Sequence, residues 1–318
     1  MHPVLILLAQ RIALGLLLLW AASVLLFVGT MILPGDVAQS ILGQSATPVS
    51  LANLREELGL NEPALTRYFS WLGNALQGDL GTALTNGQDI AEAMGKRLGN
   101  TLFLAGTAAV ISVPLAIGLG LIAVRYKDRW PDRVISSFTL ATVSVPEFVL
   151  GYVAVYLFSV QFRIFPSLAT IYDGMTFGEK LWAISMPTLV LVLVVLGHMM
   201  RMTRAAILNV MQSAYIETAE LKGLRPFAII ARHAFPNAVA PVVNVVMLNM
   251  AYLVVGVVVV EVVFVYPGMG QYLVDHVSKR DVPVVLACGL VFAAVYIGLN
   301  LLADVISILS NPRLRHPK

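Results

Sequence analysis

Six stretches of the chain run for twenty residues or more with almost no charge: Ile12 to Leu33, Thr101 to Val124, Val134 to Val160, Leu181 to Met200, Ala238 to Val260 and Val282 to Ala303. Crossing the roughly 30 Å hydrocarbon core of a bilayer takes about 20 apolar residues in a helix. No water is present there to pair with backbone N–H and C=O groups, so such segments must satisfy them internally, as helices do. Six membrane-spanning helices are therefore expected. The composition leaves little room for a soluble alternative, since 12% of residues are charged, against about 25% in ordinary domains. Pro114, Pro146, Pro187, Pro241 and Pro283 fall within these spans. They are compatible with helices wherever neighbouring helices re-satisfy the freed carbonyls.

The first run follows one basic residue, Arg11, and is longer than the apolar core of a cleavable signal peptide. Pro34-Gly35-Asp36 stands where a small-residue cleavage site would be, so this run reads as a retained span. Basic residues concentrate on cytoplasmic connections. With the N-terminus inside, the inner side holds Arg11, Arg125, Lys127, Arg129, Arg133, Arg201, Arg204, Lys222, Arg225, Arg232, Arg313, Arg315 and Lys318. The short outer connections hold only Arg163, Lys180, Lys279 and Arg280, so both termini are expected in the cytoplasm. Lys96 and Arg97 run against this bias, but they end a long segment, which translocates largely regardless of charge. The same sorting accounts for the net charge of +3 without any nucleic-acid partner. Cys288, the single cysteine, lies in an apolar run and reads as packing.

Three parts follow: residues 1–33, an N-terminal segment with the first span; 34–100, an outer loop; and 101–318, a core of five spans. In the outer loop Leu51, Leu54 and Leu58 recur at helical spacing before Gly59, and Asn61 can cap a second helix carrying Leu65, Phe69, Leu72 and Leu76 before Gly78. Two short amphipathic helices are expected there. They either cover a pore mouth, meet an external partner or lie on the membrane surface.

Between the fourth and fifth spans, in residues 201–237, the chain turns polar. Tyr215 to Asn237 interleaves Glu217, Glu220, Lys222, Arg225 and Arg232 with Tyr215, Ala219, Leu221, Leu224, Phe227, Ile229 and Ile230. Gly223 can stop a first helix in the left-handed conformation, and Pro226 is tolerated in the first turn of a second. Two short helices meeting around Gly223 and Leu224 are expected. Such an elbow either inserts its apolar side chains into a protein groove or floats at the headgroups.

Glu217-Thr218-Ala219, three residues, Gly223, nine residues and His233-Ala234-Phe235-Pro236 together resemble a cytoplasmic motif of the membrane subunits of ABC importers, E-A-A-x3-G followed after nine residues by I-x-L-P. Thr218, His233 and Phe235 depart from it in identity. Leu58-Gly59-Leu60-Asn61-Glu62-Pro63, Arg67 to Leu72, Gly78-Asp79-Leu80-Gly81, Arg201-Met202-Thr203-Arg204, Glu261 to Phe264, Pro267-Gly268-Met269-Gly270, Arg280-Asp281-Val282-Pro283 and Asn311-Pro312-Arg313 resemble, in order, segments of the dipeptide/oligopeptide/nickel branch, and most closely its first, B-type, permease. The resemblance implies an all-α membrane protein of the ABC type I importer permease fold, with six transmembrane helices, a helical outer loop and a cytoplasmic coupling helix. It implies a bacterial inner membrane and a non-catalytic chain without cofactor or resident metal, ATP and Mg being held by partner ATPase subunits. The implied partners are a second permease in a pseudo-symmetric heterodimer, two ATPase subunits, an extracytoplasmic substrate-binding protein and membrane lipid. Tyr215, Glu217, Thr218, Ala219, Lys222, Gly223 and Leu224 would then couple to the ATPase.

The implied cargo is a dipeptide or oligopeptide, with nickel chelate, glutathione or an oligosaccharide on the same machine as alternatives. An ATP-independent channel or secondary transporter is a rival of another class. A membrane enzyme lacks motif support: there is no G-x-x-x-x-G-K-[ST] loop, no H-E-x-x-H and no G-x-S-x-G. His198 with Met199, Met200 and Met202 is either a soft metal cluster or gap-filling between helices. Ionisable groups within spans are costly and tend to face a cavity or a partner. Glu147 lines a pathway or bonds a neighbouring helix, as do the amides of Asn244 and Asn249. Glu261, Tyr266 and Asp281 are candidates for a pathway or outer gate, Glu261 either as part of the gate or toward a peptide amine. Asp304 reads as an interfacial anchor.

Overall fold

A computed structural model describes residues 3–32 and 35–310; Arg313, Arg315 and Lys318, and the Leu33 end of the first span, lie outside the described residues. Helix α1 (Pro3–Ile32) is the first span. Three short helices follow: α2 (Val37–Leu42), α3 (Pro48–Glu57) and α4 (Ala64–Leu76). Helix α3 starts on a Thr47–Ser50 capping box and stops before Gly59, whose φ is 65°. Asn61 does not cap α4; the extended backbone of Pro63 leads directly into it. Tyr68 fastens α4 to α1, its ring at 5.3 Å from that of Phe27 and its hydroxyl 2.8 Å from that of Ser23. Leu286 joins the same apolar cluster, so α4 rests on the chain's own spans.

Helix α5 (Ile90–Arg125) begins three turns before Thr101, because Asp89 caps it through the Glu92 N–H at 2.8 Å. Apolarity marks the part of a helix inside lipid, not the point where its hydrogen-bonded ladder starts. The third expected span departs further. It is two helices, α6 (Trp130–Ser144) and α7 (Glu147–Ala154), the latter continued by a π-helical turn through Gln161, and they meet at 103°. Pro146 supplies no N–H and pushes Val145 into the extended region at φ −99° and ψ 129°, which breaks the ladder. Five helices among the described residues are therefore long and apolar enough to cross a membrane, or six if this bent pair is one span.

After α8 (Phe177–Ala183), α9 (Ser185–Met211) runs on past the expected end at Met200. It leads into α10 (Ala214–Leu221) and α11 (Pro226–Ala228). A π-helical turn, Ile229–Ala234, joins α11 to α12 (Phe235–Val263). The second arm of the elbow is thus not a separate short helix: Pro226–Val263 is one helix of 38 residues that becomes the fifth span. Helices α13 (Met269–Ser278) and α14 (Val282–Ser310) complete the described chain.

Helices α5, α9 and α12 form the centre, with Leu104, Ala108, Val190, Leu191, Val195, Leu253 and Val257 buried among them. Helix α6 packs on α9, and α1 packs on α14 at the periphery. Met199 and Met200 are fully buried with Ala116, Ala123 and Leu196, so they fill core space and do not converge with His198.

Candidate functional site

The elbow is built by local rules. Helix α10 ends in a Schellman arrangement: the Leu224 N–H donates to the Ala219 carbonyl at 3.3 Å and the Gly223 N–H to the Glu220 carbonyl at 2.9 Å. Gly223 adopts φ 76°, a conformation that glycine reaches without strain. Ile216 and Ala219 point inward and pack with Ile207 of α9, Ile229, Ile230 and Ala234 of the π-helical turn, and Val124 of α5. Tyr215, Glu217, Thr218, Lys222, Gly223 and Leu224 all face outward. Of the expected coupling residues only Ala219 is buried, as a footing for the rest. Leu221 is 83% exposed and Phe227 62% exposed, beside the exposed Glu217, Glu220, Lys222 and Arg225. Apolar knobs inside a charged rim suit a protein groove better than water.

A second anchor near this end escaped sequence reasoning. Asp132 at the start of α6 accepts both Arg204 donors, Nε at 2.9 Å and Nη2 at 2.7 Å, and also the Asp128 N–H at 3.0 Å. It ties the α5–α6 turn to α9 just before the elbow. The one local hint was an acidic residue in a helix's first turn.

At the opposite end of the spans lies a buried clasp. Glu261 is 0% exposed and accepts the Thr101 hydroxyl at 2.6 Å, the Gly270 N–H at 2.7 Å and the Gln271 N–H at 3.2 Å. Thr101 in turn accepts the Met269 N–H at 2.8 Å, so α5, α12 and α13 meet at one carboxyl group. A Cβ at Gly268 would collide with that carboxyl, and one at Gly270 would stand 2.6 Å from the Val258 backbone. The Tyr266 hydroxyl donates to the Asn100 carbonyl at 2.7 Å. Burial first, and the Glu261 carboxylate second, hold this phenol well above its usual range, so it remains a donor. Asp281 accepts from the Leu84 N–H at 3.2 Å and from the Thr85 N–H and hydroxyl at 2.9 and 2.8 Å, tying down the segment before α5. Glu261, Tyr266 and Asp281 are thus enclosed by their own chain, and in this conformation none faces an open pathway. A peptide amine cannot reach Glu261 here.

The remaining candidates gather on one flank. Asn244, Leu248, Tyr252, Val255, Val259 and Val262 form a stripe along α12, and all but Asn244 are exposed. Tyr252 donates a long bond, 3.4 Å, to the half-buried Glu147 at the start of α7. Tyr252, Leu248 and Asn249 share a recess of about 240 Å³ with His198, Val194 and Val195 of α9. Asn249 spends its amide on the Val245 carbonyl of its own helix at 2.8 Å rather than bridging to another. The break at Pro146 is what places Glu147 opposite Tyr252, and no local pattern announced that pairing.

Comparison with known proteins agrees with this architecture. Residues 116–316 match the family described as the binding-protein-dependent transport system inner membrane component, and residues 4–105 match the description of the N-terminal part of such components. The "Probable peptide ABC transporter permease protein" of Sinorhizobium fredii is 33% identical over 296 residues, covering 92% of this chain and 94% of the relative. The "Glutathione transport system permease protein" of Escherichia coli is 35% identical over 299 residues, covering 94% and 95%.

Proposed function

Because the chain belongs to the binding-protein-dependent transport system inner membrane component family, the permease subunits of ABC transporters, we propose that it forms half of the translocation pathway of a peptide importer. In this reading it pairs with a second permease, receives peptide from an extracytoplasmic binding protein, and couples to two ATPase subunits that hold ATP and Mg. It sits in the inner membrane with both termini in the cytoplasm and performs no covalent chemistry.

The observation that carries this reading is the elbow, an exposed apolar ridge on a buried footing. Ile216 and Ala219 engage both α9 and the helix that becomes α12, so force applied to α10 reaches the two helices bearing His198, Asn249 and Tyr252. Closure of an ATPase pair on nucleotide would push on α10 and shift these helices between two packings. The pathway flank then opens to one side of the membrane at a time.

Vesicles containing this chain, its companion permease and the ATPase subunits should accumulate dipeptide only with ATP inside the ATPase compartment and the binding protein outside. The chain alone should pass nothing. Uptake without any ATPase would establish a channel or secondary carrier instead. The relative named for glutathione favours that tripeptide as a second cargo, and what co-purifies with the cognate binding protein decides between them.

Glu147 is the acidic group on the pathway flank, and its one side-chain partner among the described residues is held at 3.4 Å. It is free to meet a cargo ammonium. Glu147→Gln should reduce peptide uptake roughly tenfold, the order expected for one lost charge-assisted hydrogen bond, without changing thermal stability. Equal uptake would assign Glu147 to packing against the companion permease.

A further inference from the structure

A recess between the end of α1 and the start of α14 plays no part in the coupling or pathway described above. It measures about 250 Å³, with Met31, Val37, Val277 and Val285 among its apolar walls and Arg67 and Arg280 lining it as well. Neither arginine forms an ion pair among the described residues. Asp36, the acid on the same lining, is already taken by Arg55 at 2.6 Å and caps α2 through the Gln39 N–H at 3.0 Å. The Nη1 of Arg280 is buried without any hydrogen-bond partner. The backbone at Gly35 forms a wall against this guanidinium: a Cβ there would stand 3.6 Å from Nε and 3.7 Å from Cζ.

Neither Arg67 nor Arg280 donates a side-chain hydrogen bond among the described residues, although both line the recess, and the acceptors that fit guanidinium donors best are oxyanions. The depth of the recess identifies the oxyanion. Met31, two residues before the end of the apolar run at Leu33, lines the recess and is 54% exposed. Where a span ends, lipid phosphates stand. Two positive groups with no free carboxylate beside them disfavour a headgroup that brings its own cation. The apolar walls suit acyl methylenes, which a free phosphate would leave uncovered.

We propose that this recess binds an anionic phospholipid, its phosphate between Arg67 and Arg280 and its acyl chains along Met31, Val277 and Val285. The inference is independent of the cargo, so its failure leaves the importer reading standing. The test takes the full chain, purified in detergent alone or with its partner subunits, and offers it phosphatidylglycerol and phosphatidylcholine in equal amounts, reading retained lipid by native mass spectrometry. Phosphatidylglycerol should be retained about tenfold more, the order set by repulsion between the choline cation and two guanidinium groups, since both lipids carry the phosphate. The Arg67→Gln/Arg280→Gln double variant should lose the preference, and Arg280→Lys should keep most of it. Equal retention of the two lipids, or an undiminished preference in the double variant, overturns the proposal. Competition by inorganic phosphate overturns the lipid as the source of the oxyanion. Elution volume and helical circular dichroism report whether the double variant is folded; if it is not, Arg67→Gln alone carries the same comparison.

Discussion

Gly223→Trp should lower ATP-driven uptake at least about a hundredfold, the scale of losing a central interface contact, while leaving the chain inserted in the membrane. The backbone part of this effect is small. Gly223 holds φ 76°, and an L-residue there costs about 1–2 kcal/mol, too little to unfold an elbow footed on Ile216, Ala219 and Ile229. The steric part falls outside the chain, because a Cβ at Gly223 meets nothing within 4 Å of its own protein. In the proposed docking an indole projects into the space of the ATPase and holds Leu221 and Leu224 away from its groove. Gly223→Ala separates the two contributions, since it carries the strain without the bulk and should retain most of the uptake. The check pairs vesicle uptake with recovery of the ATPase subunits on the tagged variant. Full uptake by Gly223→Trp would remove the elbow from the coupling route.

The largest effect on stability is expected at Glu261. Truncation to Ala strands the Thr101 hydroxyl and the Gly270 and Gln271 N–H groups in a site with 0% exposure at Glu261. Each buried donor left unpaired costs about 1–3 kcal/mol, so the sum over the three is roughly 3–9 kcal/mol. That should appear as a large drop in the melting temperature of the detergent-purified protein. Glu261→Gln keeps an acceptor oxygen and should fall between. Gly268→Ala should resemble Glu261→Ala, because the new methyl occupies the place of the carboxyl. A melting temperature unchanged in Glu261→Ala would show that α5, α12 and α13 hold together without the clasp.

What could be read in the sequence was what depends on near neighbours. Apolar runs located the spans because burial in lipid leaves a continuous signature, and Gly223 with Pro226 located the elbow because chain reversal there is a matter of two backbone positions. Polar groups were harder. Glu261 was legible as a costly acid near a span end, yet its main partner, Thr101, stands 160 positions away. Asp132 and Arg204 are 72 apart, and each had a sufficient local explanation as a helix-start acid and an inner basic residue. Proline illustrates the same limit. Pro114 and Pro241 lie inside intact helices, whereas Pro146 separates two that meet at 103°. The residue is the same in all three; what differs is whether packing around it restores the helix, and packing is set by segments far away in the chain.

The unbroken run from Pro226 to Val263 has a mechanical consequence. At 1.5 Å per residue its 38 residues make a rod of about 57 Å, rooted at the elbow and ending at Val263, just past Glu261. The midpoint falls near Asn244 and Val245. A tilt of about 10° around that fulcrum would carry the two tips about 5 Å in opposite directions and scarcely displace the middle. A see-saw of this kind narrows one mouth of a passage as it widens the other, and the polar residues closest to the pivot would keep their grip throughout.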